Sequence, residues 1–512
     1  MIPSPSDPPA AAEPTAAEPA AAFPADSLAI GMSVMLAMTI VQRGIGFFRS
    51  IWMCRMLEDD VLGQWAMALG FITMVTPMLL LGLPGSLPRY VAAYLNQGHL
   101  KAFLRRILWL TGVLSCAGFA AMLLLPEIFG WLIFREPTSV NLVVAVALTV
   151  VSITIFNSMN ELIASLRQVR VVSIMQFINS VSFTVIAIAW LYFDGSLLGL
   201  IYSFAASCLI GTLPAWWVLA HYWHAIPHNT DPLHAPSMWK RVLPYAAALW
   251  VMNLLANAFE LSDRYMILHF SAAADLGQSL VGQYHSARLI PALLLSLAAM
   301  ASGILLPYLT SDWEAGRHQA VRDRLRKILL AVACLFTAGG AVALWISPWM
   351  FDTLLAGRYP GGLAVMPMAF TFSIWGAIAA IAQNYLWVAE KGKYVGWALG
   401  IGLVANLLLN HLLLPILGLK GAVIATMVSN LIVLVGIWVA MRGTGFRWDS
   451  SLIWTTLLPA TLLYHPLASI LCVAAVAILS EQTRGWIVEG LQIIDPRQRL
   501  ANRKHSCESA PS

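Results

Sequence analysis

Four polar side chains stand in line on an otherwise apolar helical stretch of this 512-residue chain. Asn253, Asn257, Glu260 and Arg264 fall within about 60° of one another at 100° per residue. A shorter version occurs earlier, where Gln42 and Arg49 lie seven residues apart on one face. Two further arginines, Arg43 and Arg288, sit deeper in their apolar segments. A guanidinium at the centre of a bilayer costs about 2.5–3.5 kcal/mol on insertion scales, so it faces a cavity or a partner. Two chemistries fit. Arg43 or Arg288 pairs with Glu260 in a structural ion pair, or the arginines form an anion site, since guanidinium groups make forked hydrogen bonds to phosphate oxygens. Arg49 and Arg264 can also snorkel to the interface. Glu260 and Asp263 are the groups that could titrate and couple to a cation such as H+ or Na+.

Other polar groups are softer signals. Asn157, Asn160 and Glu161 cluster on one apolar segment, Gln176 with Asn179 on the next, and Gln383 with Asn384 and Asn406 with Asn410 further on. Interhelical hydrogen bonding explains such amides, although sugar hydroxyls would need the same groups. His221, His224 and His228 are spaced for one helical face, but nearby prolines favour an irregular loop. Six cysteines show no metal-ligand spacing. No nucleophile elbow, phosphate loop or zinc-protease signature appears. The chain therefore reads as a non-enzyme with no metal and no cofactor.

The elements that must hold these groups follow from composition. The chain is 59% apolar and 11% charged, against about 25% charged residues in a soluble domain. A spanning helix needs roughly 20 apolar residues. Spans are expected near 28–50, 62–83, 105–125, 141–160, 171–193 and 196–220, and again near 242–261, 281–306, 328–349, 363–388, 394–416 and 419–441. A last stretch, 452–480, is either one kinked helix or a hairpin turning at Tyr464-His465-Pro466. The hairpin is the expectation, because it keeps Arg484, Arg497, Arg499, Arg503 and Lys504 on the inner side. Residues 1–27 are rich in Ala and Pro with no Lys or Arg, which reads as a disordered tail rather than a signal peptide. Even-numbered loops carry seventeen Lys and Arg, odd loops six. The positive-inside rule then puts both termini in the cytoplasm. The net charge of +5 reflects this bias and gives no argument for nucleic acid.

A repeat organises the spans. Gly63-Gln64-Trp65 precedes Pro88 by the same 25 residues that separate Gly282-Gln283-Tyr284 from Pro307. The expected architecture is all-α: a six-helix lobe over 28–220, a linker at 221–241, a second lobe over 242–441, the hairpin at 452–480 and a cytoplasmic tail at 481–512. That makes about 14 transmembrane helices. Each half has six spans, so the copies share an orientation and are related by an axis along the membrane normal. Two such halves around one site are the usual plan of a transporter that exposes the site to each side in turn.

The ordered motifs resemble the polysaccharide transport (oligosaccharide flippase) family of the multidrug/oligosaccharidyl-lipid/polysaccharide exporter superfamily. The residues that carry the resemblance are Leu62-Gly63-Gln64-Trp65-Ala66, Gly82-Leu83 with Pro88-Arg89-Tyr90, and Asp263-Arg264-Tyr265-Met266-Ile267-Leu268. Val281-Gly282-Gln283-Tyr284 follows, then Asn406, Asn410, Pro415, Gly418 and Gly421-Ala422-Val423-Ile424-Ala425-Thr426. The acidic N-terminal tail and the compressed final pair of helices depart from the pattern. The resemblance implies two lobes around a central cavity in a bacterial inner membrane. The implied cargo is an undecaprenyl-diphosphate-linked sugar chain, moved from the cytoplasmic to the periplasmic leaflet. On that reading Arg43 and Arg288 hold the diphosphate, the amides meet the sugar, and the lipid tail stays in the bilayer; Arg49, Arg264, Gln42, Asn253 and Asn257 complete the substrate-binding candidates. Contact with a glycan polymerase or glycosyltransferases would follow. A lipid II flippase and a multidrug–cation antiporter of the same superfamily are the near alternatives. A membrane polymerase or ligase of lipid-linked glycans is the alternative from another class.

Overall fold

The computed structural model describes residues 28–136, 139–225, 235–271 and 276–479. Both tails, and the linker residues 226–234 with His228 and His234, lie outside that set. Among the described residues all regular structure is helical. The first lobe comprises α1 (Leu28–Met56), α2 (Asp59–Leu79), α3 (Leu87–Asn96), α4 (Leu100–Leu124), α5 (Pro126–Phe134), α6 (Val140–Ser165), α7 (Val169–Phe193), α8 (Leu197–Gly211) and α9 (Leu213–Tyr222). The second comprises α10 (Ala235–Phe270), α11 (Gly277–Ala287), α12 (Pro291–Glu314), α13 (His318–Trp349), α14 (Pro360–Val388), α15 (Lys393–Leu417) and α16 (Leu419–Gly443). Then come α17 (Ser450–Leu457) and α18 (Pro466–Leu479). Eleven helical segments among the described residues are long and apolar enough to cross a membrane. The 29-residue α1 is a further helix of spanning length. Matching packing pairs recur in the two lobes: α1 on α7 as α10 on α15, α7 on α8 as α15 on α16, and α6 on α8 as α14 on α16.

Two expectations need correction. The stretch 281–306 is not one helix: α11 ends at Ala287, and α12 starts again at Pro291. Pro291 lacks the N–H that a continuous helix would use. The span expected near 196–220 is Leu197–Tyr222, with one turn residue, Thr212, between α8 and α9. The linker is shorter than 221–241, because α9 runs to Tyr222 and α10 begins at Ala235. His221 therefore ends a helix, and His224 sits in a 3-10 turn.

The repeated Gly-Gln-aromatic motif makes the contact between the lobes. Helices α2 and α11 cross so tightly that a Cβ on Gly63 would lie 1.9 Å from the Gln278 carbonyl oxygen. A Cβ on Gly282 would lie 1.9 Å from the Asp59 carbonyl oxygen. Asp59 precedes Gly63 by four residues, as Gln278 precedes Gly282, so the crossing has the symmetry of the repeat. Polar side chains rivet it. Ser279 Oγ and Gln283 Nε2 donate to Asp59 Oδ2 at 2.6 and 2.9 Å, and Gln64 Nε2 donates to Gln278 Oε1. This crossing lies at one end of the bundle. The loops bearing Arg89 to Arg106 and Arg317 to Lys327 lie at the other, called here the basic end.

At the basic end α10 leans on the first lobe. Gly82 adopts φ +71°, and a Cβ there would lie 2.2 Å from the Ala246 carbonyl oxygen. Trp250 Nε1 donates to Met78 O at 3.1 Å. The C-terminal segment is a hairpin laid along α13. Asp449 pairs with Arg326 at 2.8 Å, Leu462 packs near Gly340, and the chain returns so that Val476 packs with Leu330. Each arm of about 14 residues rises only about 21 Å, short of a full crossing.

The crossing yields a test. Gly63→Ala and Gly282→Ala should each lower the melting temperature of the purified protein, because the new methyl meets backbone that cannot move aside. Gly303→Ala, with nothing within 4 Å of its Cβ position, should be neutral or gain up to about 1 kcal/mol from helix propensity. Equal melting curves for all three would refute the tight crossing.

Candidate functional site

Helices α1, α7, α10, α11 and α12 enclose a chamber of about 550 Å³ between the lobes. Its wall includes Gln42, Arg43, Arg49, Gln176, Asn179, Ser180, Glu260, Arg264, His285, Arg288 and Ser296. Gln42 and Arg49 from one stripe thus meet Glu260 and Arg264 from the other. The Gly63–Gly282 crossing lies one helical turn beyond His285 and caps the chamber at the end away from the basic loops.

The guanidiniums are held differently. Arg288 sits at the break between α11 and α12, and its Nη2 lies 2.8 Å from Glu260 Oε1. Arg264 Nη2 reaches the same oxygen at 3.5 Å, while its Nη1 donates to Ala66 O at 3.3 Å. Glu260 is therefore shared by two arginines and keeps 53% of its side chain exposed to the chamber. On the opposite wall Arg49 donates to Ser180 O and Thr184 Oγ1, and its guanidinium stacks 4.3 Å over the Phe183 ring. Arg43 has no carboxylate or hydrogen-bond partner among the described residues. Four guanidiniums face one carboxylate, which leaves an excess of three positive charges in the chamber. An apolar groove of about 200 Å³ between α1 and α12 adjoins it, lined by Ile40, Gly44, Leu297 and Met300. Arg43, Phe47, Leu293 and Ser296 line both spaces.

The remaining expected residues are sorted by the fold. Gln42 lines the chamber and donates to Ser173 O at 3.3 Å. Asn253 and Asn257 continue the α10 stripe toward the basic end and do not line the chamber. Asn257 Nδ2 donates back to Asn253 O. Asp263 points the other way, into the second lobe, where it is 2% exposed. Its Oδ1 accepts from Asn406 Nδ2 at 2.8 Å and Asn410 Nδ2 at 3.1 Å, and its Oδ2 accepts from Tyr284 OH at 2.8 Å. Among the described residues no Lys or Arg pairs with it, and Asn410 Oδ1 is buried without a donor. Asn384 bonds Ser302 across helices. Sequence reasoning missed His285, Ser180 and Ser296. His285 was visible as the one imidazole three residues before Arg288, on the same helical face.

Comparison with known proteins now decides the family. The profile described as polysaccharide biosynthesis protein matches residues 28–313. This chain belongs to that family. An uncharacterized membrane protein of Bacillus subtilis (strain 168), YabM, is 24% identical over 236 residues, a stretch that spans 44% of each chain. Solved structures share the fold. The lipid II flippase MurJ in an inward closed conformation aligns with a TM-score of 0.66 at 11% identity, covering 87% of this chain and 97% of that one. An inward-facing multidrug resistance MATE transporter of the MOP superfamily gives 0.60 at 13% identity over 84% and 99%. A superfamily transporter from Pyrococcus furiosus, described as having a binding pocket of reverse polarity, gives 0.58 at 14% over 82% and 96%. This member of the polysaccharide biosynthesis protein family is thus a multi-pass membrane protein with a transporter fold.

The two deep arginines should separate on mutation. Arg43→Ala should change folding stability by no more than about 0.5 kcal/mol, the range for a residue outside any network. Arg288→Ala removes a hydrogen bond to a charged group, worth about 1.5–3 kcal/mol. The lower end applies because Glu260 is half exposed. Denaturation in detergent checks both, and a larger loss for Arg43 would mean it is a hidden structural partner.

Proposed function

We propose that this protein flips a polyprenyl-diphosphate-linked oligosaccharide from the cytoplasmic to the periplasmic leaflet of a bacterial inner membrane. Cell-surface polysaccharide assembly would use the product. The observation that carries the reading is the junction at Arg43. A polar chamber with surplus guanidinium meets an apolar groove there, so one ligand can place its diphosphate on the arginines and its polyprenyl chain in the groove. Forked guanidinium donors suit phosphate oxygens, and the amides Gln42, Gln176 and Asn179 can meet sugar hydroxyls. The positive-inside bias puts the basic end in the cytoplasm, which makes the Gly63–Gly282 crossing the closed periplasmic seal. Transport then consists of parting that crossing while the basic end closes.

Cation coupling falls to Asp263 rather than Glu260. Glu260 already has two cationic partners. Asp263 is a buried carboxylate held by neutral donors from Tyr284, Asn406 and Asn410, with no Lys or Arg paired to it among the described residues, so a cation can serve as its counter-charge. Lipid II shares the diphosphate-and-tail chemistry and is an alternative cargo. A chamber this positive repels cationic drugs, which counts against an antiporter of such compounds. No cluster of catalytic groups faces the chamber among the described residues, so a polymerase or ligase finds no support there.

Two measurements test the reading. Deleting the gene should cause one defined lipid-linked oligosaccharide to accumulate, detected by mass spectrometry of membrane lipids. Accumulated lipid II would reassign the cargo, and unchanged glycans with altered drug resistance would sink the flippase. In proteoliposomes, Asp263→Asn should abolish the stimulation of flipping by an H+ or Na+ gradient, within the roughly 5- to 150-fold range of such couplings. Gradient-independent flipping should survive.

A further inference from the structure

At the basic end, α3 and the first turns of α10 form a second cationic feature, remote from the chamber. Arg89 lies 4.4 Å over the Tyr245 ring and 5.8 Å from the Tyr90 ring centre, and Arg241 lies 5.6 Å from the Tyr90 ring centre. The two rings meet edge to face at 6.0 Å. Tyr90 OH donates to the Arg241 carbonyl oxygen at 2.9 Å, which fixes α3 to α10. Both arginines are exposed, and neither has a carboxylate or hydrogen-bond acceptor among the described residues.

We infer that this pair binds the phosphate of an anionic phospholipid in the leaflet at the basic end. Three features support it. Stacking on rings holds the guanidiniums in place without using their N–H donors, so the donors remain free for phosphate. Two like charges on one tyrosine pair repel each other, and an anion between them relieves that repulsion. Exposed apolar side chains for the acyl chains occur on the same two segments: Leu81, 42% exposed, precedes Gly82, and Leu243, 43% exposed, follows Arg241 by two residues. Because the site bridges α3 and α10, a bound lipid pins the first half of α10 to the first lobe. Anionic lipid therefore favours the conformation described here. The binding does not depend on what the chamber carries; only the naming of the leaflet as cytoplasmic rests on the proposed function.

Full-length protein in nanodiscs of phosphatidylcholine, with and without phosphatidylglycerol, gives the test by thermal shift and by native mass spectrometry of retained lipid. Phosphatidylglycerol should raise the melting temperature and remain bound. The Arg89→Gln/Arg241→Gln pair should lose most of both effects, whereas Arg43→Gln in the chamber should keep them. If the double variant does not fold, Arg89→Gln alone should halve retention or more, since its side chain is exposed. Farnesyl diphosphate serves as a probe for the other source of phosphate. If Arg89→Gln/Arg241→Gln loses that probe while keeping phosphatidylglycerol, the site takes the diphosphate of a polyprenyl ligand and the phospholipid assignment is overturned. Unchanged retention of both phosphatidylglycerol and the probe in the double variant overturns the site itself.

Discussion

Two backbones approach at Gly63 and Gly282 so closely that neither position has room for a Cβ, and the remaining geometry is arranged about that contact. In a bilayer no hydrophobic force separates helix from lipid, so association rests on close packing and on polar bonds between helices. Glycine provides the first, because any side chain would occupy the place of the facing carbonyl. Asp59, Ser279, Gln283 and Gln64 provide the second. A seal made of small residues and a few hydrogen bonds can also part, as alternating exposure of a central site requires. A wide apolar interface would have been harder to open.

The chamber follows from this seal. With the lobes joined at one end, the polar faces of α1 and α10 are held apart below it, and the guanidiniums they carry line a space instead of meeting hydrocarbon. The break between α11 and α12 then brings Arg288 to Glu260. That pairing organises the wall without neutralising it, since the carboxylate serves two arginines and two more stand opposite. Asp263, next to Arg264 in sequence, is turned by 100° into a different environment. Adjacent residues thus face a cationic chamber and a buried cluster with Tyr284, Asn406 and Asn410.

The two lobes are not equivalent, and the difference concerns α10. Its first half packs on the first lobe through Ala246, Trp250 and Arg241, and its second half packs on the second lobe through α15. By contrast α1 meets α12 across an open groove. The same repeat therefore presents a closed side at α10 and an apolar entrance at α1, which suits a cargo with one lipid tail.

Much of this was legible in the residues. Apolar runs of about 20 residues announce spans because a helix must satisfy its own backbone in lipid, and the paired Gly-Gln-aromatic motif announced two lobes. Helical periodicity put Gln42 with Arg49, and Asn253 and Asn257 with Glu260 and Arg264, each set on one face; the two asparagines do not line the chamber. The partners of each group were not legible. Nothing local distinguishes Arg43, which has no partner among the described residues, from Arg288, which is paired, or Glu260 from Asp263. Those outcomes depend on helices more than a hundred residues apart, and on where α11 breaks and α10 leans. Sequence by itself determined membrane class, repeat and polar faces, since these arise from hydropathy and helical pitch. Only the tertiary structure decided which charges are neutralised, because that depends on a few ångströms of separation between distant helices.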